Sequence, residues 1–263
     1  MKIISWNVNG LRANVKKGGF DWLLNSGADI FCLQETKAHP DQLPTGVRKP
    51  PGYYAYFDHS KVKNGYSGVA VYVKSTDDQQ LTTDNLRVEY GLGIEELDQE
   101  GRFLGLFFNE FAFFNVYFPN GGGGPERLAF KLKYYEAFLK YLEGVRKEQP
   151  NIIFCCDVNT AHQEIDLARP KENENNTGFL PVERKWLDEV EQKNYVDTFR
   201  YFHPDEKNSY TYWDMKTFAR DRNVGWRIDY FFVTKEFLPK VNKSEILTDI
   251  FGSDHCPIFL EAL

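Results

Sequence analysis

The chain has 263 residues, 42% hydrophobic and 16% aromatic, which is enough apolar material for a sizeable core in a single domain spanning residues 1–263. A formal net charge of −6 argues against a protein that holds nucleic acid by bulk positive charge, yet leaves room for an enzyme whose local basic loops grip phosphates. No run approaches the roughly 18 apolar residues that span a membrane. The opening MKIISWNVNG enters strand-like alternation without an apolar signal core, so a soluble cytoplasmic protein, with no membrane partner, is expected.

In chain order, β-branched and aromatic runs predict strands at 3–8, 30–35, 53–57, 68–73, 103–108, 111–118, 152–158, 210–213, 229–234, 245–249 and 257–262. Asn109 and Glu110 separate two of these runs and suggest a hairpin. Helices are fewer: one at 20–25, one opening at Pro125, and one over 181–193. In the second, Leu128, Leu132, Tyr135, Leu139 and Leu142 form one apolar face, with Lys131, Lys133 and Lys140 expected off it. Strands dominate and several are apolar on both faces, which predicts two sheets packed face to face with helices outside.

The segment NIIFCCDVNTAH at 151–162 poses a question about metal chemistry. Adjacent cysteines near a histidine could be a thiolate metal site, a nucleophile with its base, or bystanders. Cys155 and Cys156 point to opposite faces of a strand, so both cannot readily reach one ion. With no CxxC among the four cysteines, structural thiols are the expected reading.

Polar residues repeatedly end the apolar strands. Asn7 and Asn9 end the first and Glu35 the second; Tyr117 and then Asn120 follow the sixth, Asp157 and Asn159 the seventh. Asp229 opens another strand, and Asp254 and His255 precede the last. Any one of these could be an ordinary turn residue or cap; as a set they are rich in hard oxygen donors. Glu35 with Asn7 or Asp254 would suit Mg²⁺ or Mn²⁺ rather than structural zinc. A metal bound by few side chains, beside an aspartate and a histidine, points to metal-assisted phosphodiester chemistry.

The blocks ISWNVNGLRA, LQETKA, GYSGVAVY, NVYFPNG, DVNTAHQEIDLARPKENENNTGFLPVER, NVGWRIDYFFV and GSDHCPIFLE run in order along the chain. Together they resemble the exonuclease III family of apurinic/apyrimidinic (AP) endonucleases, a branch of the DNase I-like endonuclease/exonuclease/phosphatase superfamily. The resemblance implies a four-layer αββα sandwich of two mixed β-sheets. It also implies Mg²⁺-dependent hydrolysis of double-stranded DNA 5′ to an abasic site, with 3′-phosphodiesterase or 3′→5′ exonuclease side activity, and a protein acting as a monomer.

Carried over by position, Glu35 matches the main metal-binding residue, with Asn7 and Asn9 beside it and Asp254 at a second metal position. Asp157 matches the residue that aligns or deprotonates water, and Asn159 its hydrogen-bonding neighbour. His255 matches the phosphate-contacting histidine, oriented by Asp229. Tyr117 matches a tyrosine that contacts the phosphate or helps the leaving group, and Asn120 a phosphate contact. Tyr212, Trp226 and Ile228 match the apolar pocket for a flipped-out abasic sugar, whose extrusion loses no base stacking. Lys61, Lys63, Arg184, Lys216, Arg220 and Arg222 are candidate DNA contacts. Two features depart from the family pattern: Cys156 stands where glycine usually precedes the catalytic aspartate, and GGGG at 121–124 replaces a loop that often carries polar or basic residues. A nuclease of the same fold with a broadened target is the alternative reading, a small-molecule or lipid-headgroup phosphodiesterase a further one, and a damage-binding protein without catalysis the non-enzymatic one.

Overall fold

The computed structural model describes residues 1–75, 81 and 86–263. Among these residues, twelve strands form two six-stranded sheets. The first contains β1 (Lys2–Asn7), β2 (Ile30–Gln34), β3 (Tyr53–Asp58), β4 (Val69–Lys74), β11 (Val241–Ile246) and β12 (Ile258–Ala262), in the order β11-β12-β1-β2-β4-β3. The second contains β5 (Arg87–Tyr90), β6 (Phe103–Phe107), β7 (Ala112–Tyr117), β8 (Ile152–Asp157), β9 (Tyr195–Asp197) and β10 (Asp229–Thr234), in the order β5-β6-β7-β8-β10-β9.

The two sheets share one plan. Each has a parallel pair at its centre, β1 with β2 and β7 with β8, and antiparallel strands on both sides. Parallel neighbours end on the same rim, so the sequence places Asn7 beside Gln34 and Tyr117 beside Asp157. Asp229, opening the antiparallel β10, pairs in register with Asp157. Tyr117, Asp157 and Asp229 therefore stand in a row across three strands, facing the strand ends of the other sheet.

Alternation of side chains divides the core into layers. Ile3, Cys32, Val71, Leu106, Phe113, Cys155 and Phe231 pack between the sheets. Ile4, Trp6, Phe31 and Tyr72 face outward under the helices Leu11–Lys16 and Gly19–Asn25, which bury Leu11, Phe20 and Leu23. Phe114, Phe154, Cys156 and Phe232 face the other way, under the helices Pro125–Val145 and Pro181–Gln192. This is the four-layer αββα sandwich expected of the family.

Several local expectations need correction. Residues 210–213 form no strand; Tyr212 makes isolated bridges to Trp226 and His255. The strand predicted at 245–249 instead runs Val241–Ile246. The edge strands β5 and β9 were hidden by their brevity and partly polar sequences, RVEY and YVD. Lys131 is not on the solvated face of its helix but wholly buried, because its Nζ donates to Glu183 Oε1 (2.6 Å), Asn159 O (2.8 Å) and Thr160 Oγ1 (2.8 Å). A buried ammonium with three oxygen partners is satisfied where an unpaired one would not be. Among the described residues no helix is long and apolar enough to cross a membrane.

Candidate active site at the converging strand ends

The rims of the two sheets meet at Asn7. Its Nδ2 donates to Asp157 Oδ2 at 2.7 Å and to Glu35 Oε1 at 3.0 Å, while its Oδ1 accepts from Asn9 N at 3.0 Å. The main-chain donor fixes which way the amide points, so its NH₂ must face the carboxylates. Asn7 thus braces Glu35 and Asp157, and does not turn its oxygen toward them. Asn9 Nδ2 donates to Asp254 Oδ2 at 2.8 Å and extends the same polar row.

Glu35 follows β2 with φ +53, a left-handed conformation that swings its side chain off the strand. Burial pushes its carboxyl up, but Lys37 and the Asn7 amide outweigh this and hold it below its ordinary value. Lys37 Nζ lies 2.6 Å from Glu35 Oε2. Sequence reasoning missed this lysine, whose only signal was its place two residues after Glu35.

His255 is buried, and its Nδ1 donates to Asp229 Oδ2 at 2.8 Å. Its Nε2 faces Asp157 Oδ2 at 4.0 Å. Burial would lower the imidazole's pKa, but the charges of Asp229, Asp157 and Asp254 and the Asp229 hydrogen bond raise it to about 10. Asp157 moves up as well, to about 7, through burial and the neighbouring Asp229, with His255 opposing. Asn159 N donates to Asp157 Oδ1 at 2.8 Å, and Asn120 Nδ2 to Asn159 Oδ1 at 3.0 Å. One oxygen or nitrogen from each of Glu35, Asp157 and His255 lies within 4.8 Å of the others, a cluster that could hold a metal ion.

Glu35 and His255 line a cleft of about 480 Å³ together with Asn9, Tyr117, Asn120, Asn159 and Asp254. One wall is largely apolar: Tyr212, Trp226 and Ile228 line it, packed on Ala161, Leu167 and Phe179, with the Tyr212 ring 4.9 Å from that of His255. Gly178, with φ +94, backs this wall; a Cβ there would come within 3.3 Å of both the Trp226 ring and Asn159 O. Between Trp226 and Ile228, the buried Arg227 anchors the wall through Asp166 (2.8 Å) and Asp197 (2.7 Å). The long AHQEIDLARP block therefore supplies, in Asp166, a buried strut for the pocket.

The basic candidates separate. Lys61, Lys63, Lys216 and Arg222 are exposed. Arg220 stacks between Trp213 and Phe251 and donates to Thr248 O and Ile250 O, and Arg184 Nε donates to His162 O. Those two guanidinium groups are tied into the fold. A second groove, lined by Gly10, Arg12, Ala13, Lys16, Lys37 and Gly65, shares Lys37 with the cleft and adds basic residues that sequence reasoning passed over.

All four cysteines are free and buried. Burial pushes the thiols of Cys32, Cys156 and Cys256 up, away from the thiolate a metal ligand or nucleophile requires. Cys156 packs beneath the helices, on the face opposite the site, and His162 bonds Asp188 at 2.8 Å.

The architecture and the strand-end site are those of a phosphoesterase, and the chain belongs to the endonuclease/exonuclease/phosphatase family, whose profile matches residues 4–255. It is 43% identical over 261 residues to an exodeoxyribonuclease of Bacillus subtilis, covering 99% of this chain and 98% of that protein. It is equally 43% identical to the DNA repair nuclease APEX1 of Danio rerio, covering 99% of this chain and 81% of that protein. The solved catalytic domain of Xenopus laevis APE2 superposes with a TM-score of 0.87 at 34% identity, covering 100% of this chain and 91% of that one.

Proposed function

We propose that this chain is a Mg²⁺-dependent DNA repair endonuclease that hydrolyses the phosphodiester bond 5′ to abasic sites in double-stranded DNA. It would act as a monomer and carry 3′-phosphodiesterase or 3′→5′ exonuclease side activity. The observation that carries this reading is the single cleft lined both by Glu35 and His255 of the metal-ligating cluster and by the apolar side chains of Tyr212, Trp226 and Ile228. A phosphate held at the polar side puts the adjacent deoxyribose against that wall. A sugar without a base enters at little unstacking cost, whereas a full nucleotide would have to bring its base along.

The donor set fits the cation. Carboxylate oxygens of Glu35 and Asp254 are hard ligands suited to Mg²⁺, with Mn²⁺ able to substitute. Glu35 would hold the ion, braced by Asn7, with Asn9 and Asp254 alongside; when bound, the ion neutralises charge on the phosphate and leaving oxygens. Asp157 takes the proton of the attacking water, its carboxylate held in place by Asn7 Nδ2 on Oδ2 and Asn159 N on Oδ1. His255, kept cationic by Asp229, faces the phosphate with its Nε2 proton and stabilises the added negative charge. Asn159, Asn120 and Tyr117 offer further donors along the same wall. Lys61, Lys63, Lys216 and Arg222 are assigned to the flanking backbone.

The reading is tested with a duplex carrying one tetrahydrofuran abasic analogue, beside the same duplex with a normal nucleotide. Mg²⁺-dependent incision on the 5′ side of the analogue, leaving a 3′-hydroxyl, is the expected result. Equal cleavage of both duplexes would replace abasic-site recognition with a broader nuclease.

A further inference from the structure

Immediately before β6, Arg102 is 2% exposed, and nothing in the chemistry above uses it. It brackets Tyr117 from three directions. Tyr117 N donates to Arg102 O at 2.9 Å, Arg102 Nη1 donates back to Tyr117 O at 2.9 Å, and the guanidinium lies 4.5 Å from the centre of the Tyr117 ring. Its remaining donors reach Glu100 Oε2 (2.6 Å, from Nε) and the Tyr66 hydroxyl (3.0 Å, from Nη2). Arg127 secures the other side, donating to both Glu100 oxygens and to Tyr66, each at 2.8 Å. Two guanidinium groups share one carboxylate, so the cluster keeps a surplus positive charge against the ring.

A guanidinium is suited to this task. Its planar fork makes several bonds at fixed angles, and its face pairs with an aromatic face, neither of which an ammonium reproduces. The far end of the Tyr117 ring lines the reaction cleft with Glu35. We propose that Arg102 is a positioning residue for Tyr117, fixing its main chain and ring so that the hydroxyl stays aimed at the phosphate site. The cluster also ties that aim to Tyr66, at the end of the loop that carries Lys61 and Lys63. The inference rests on the proposed nuclease reading for its kinetic test, but not for its spectroscopic one.

The kinetic test is a double-mutant cycle on the abasic duplex, with Arg102→Met and Tyr117→Phe singly and together, in variants whose thermal melts are first shown to be cooperative. Arg102→Met is expected to lower kcat by about tenfold to 100-fold with KM little changed, as for a misaimed group, and by less than about twofold when Phe replaces Tyr117. The same fold loss in both backgrounds would overturn the proposal. Should Arg102→Met fail to fold, Arg102→Lys carries the cycle with the same expectation at smaller amplitude and the same overturning result. Independently of any activity, 3-fluorotyrosine placed at position 117 should give one narrow ¹⁹F resonance that shifts or broadens in the Arg102 variant. An unchanged resonance overturns the positioning role, whereas absent incision by the parent protein with a shifted resonance would sink the nuclease reading alone.

Discussion

Asn7 Nδ2 lies 2.7 Å from Asp157 Oδ2, joining the last residue of β1 in one sheet to the last residue of β8 in the other. The same amide holds Glu35. One side chain therefore sets the spacing between the proposed base and the proposed cation ligand. Asn7→Ala leaves the buried Asp157 and the half-buried Glu35 without their shared donor, a loss of about 1–3 kcal/mol in alignment. Incision should fall about tenfold to 100-fold, and more Mg²⁺ should be needed for half-maximal rate. A magnesium requirement identical to that of the parent would show that Asn7 does not organise Glu35.

The His255–Asp229 pair makes stability depend on pH in an identifiable direction. The imidazole's folded pKa, about 10, lies above its unfolded value of about 6.5. Its contribution is therefore complete below about pH 6.5 and is lost as pH rises through 10. Melting temperatures of the metal-free protein should fall over that window, and Asp229→Asn should flatten the fall. A variant with the same pH profile as the parent would remove Asp229 as the cause.

Asp166 behaves in the opposite sense. Burial raises its pKa, but Arg227 and Arg200 prevail and bring it to about 2. A depressed carboxylate stabilises above its unfolded pKa of about 3.9, and the contribution, roughly 2–3 kcal/mol, disappears as pH falls toward 2. Acid unfolding of Asp166→Asn should show little of this limb. The variant should also bind an abasic duplex more weakly, since Arg227 anchors the wall between Trp226 and Ile228.

Cys156→Gly tests whether the cysteine restrains the site. Its side chain lies in the helix-side core, away from the cleft. Turnover should stay within about twofold, while stability drops by roughly 1–3 kcal/mol through backbone freedom and a small cavity. A large gain in turnover would mean that Cys156 does crowd Asp157.

What the sequence disclosed followed from periodicity. The long β-branched and aromatic runs located nine of the twelve strands among the described residues and overlapped only the end of a tenth, β11, and polar residues at their ends marked the rim on which the site is built. Lys131, Arg102 and Lys37 read as solvated because a charged residue in a helix or beside a strand ordinarily is; Lys131 is revealed by the distant Glu183, and Arg102 and Lys37 by pairs with Glu100 and Glu35, each only two residues away along the chain. The orientation of the Asn7 amide was likewise invisible, because it depends on the left-handed turn at Asn9 that returns a backbone N–H to the side chain.

The most direct test of the central claim is single-turnover incision of the tetrahydrofuran duplex by the parent protein and by Asp157→Asn, each with Mg²⁺ and with EDTA. The expected result is a 5′ incision that needs the cation and falls by at least about 100-fold in the variant, as for loss of a positioned base. Incision undiminished in Asp157→Asn, or unaffected by EDTA, would contradict it.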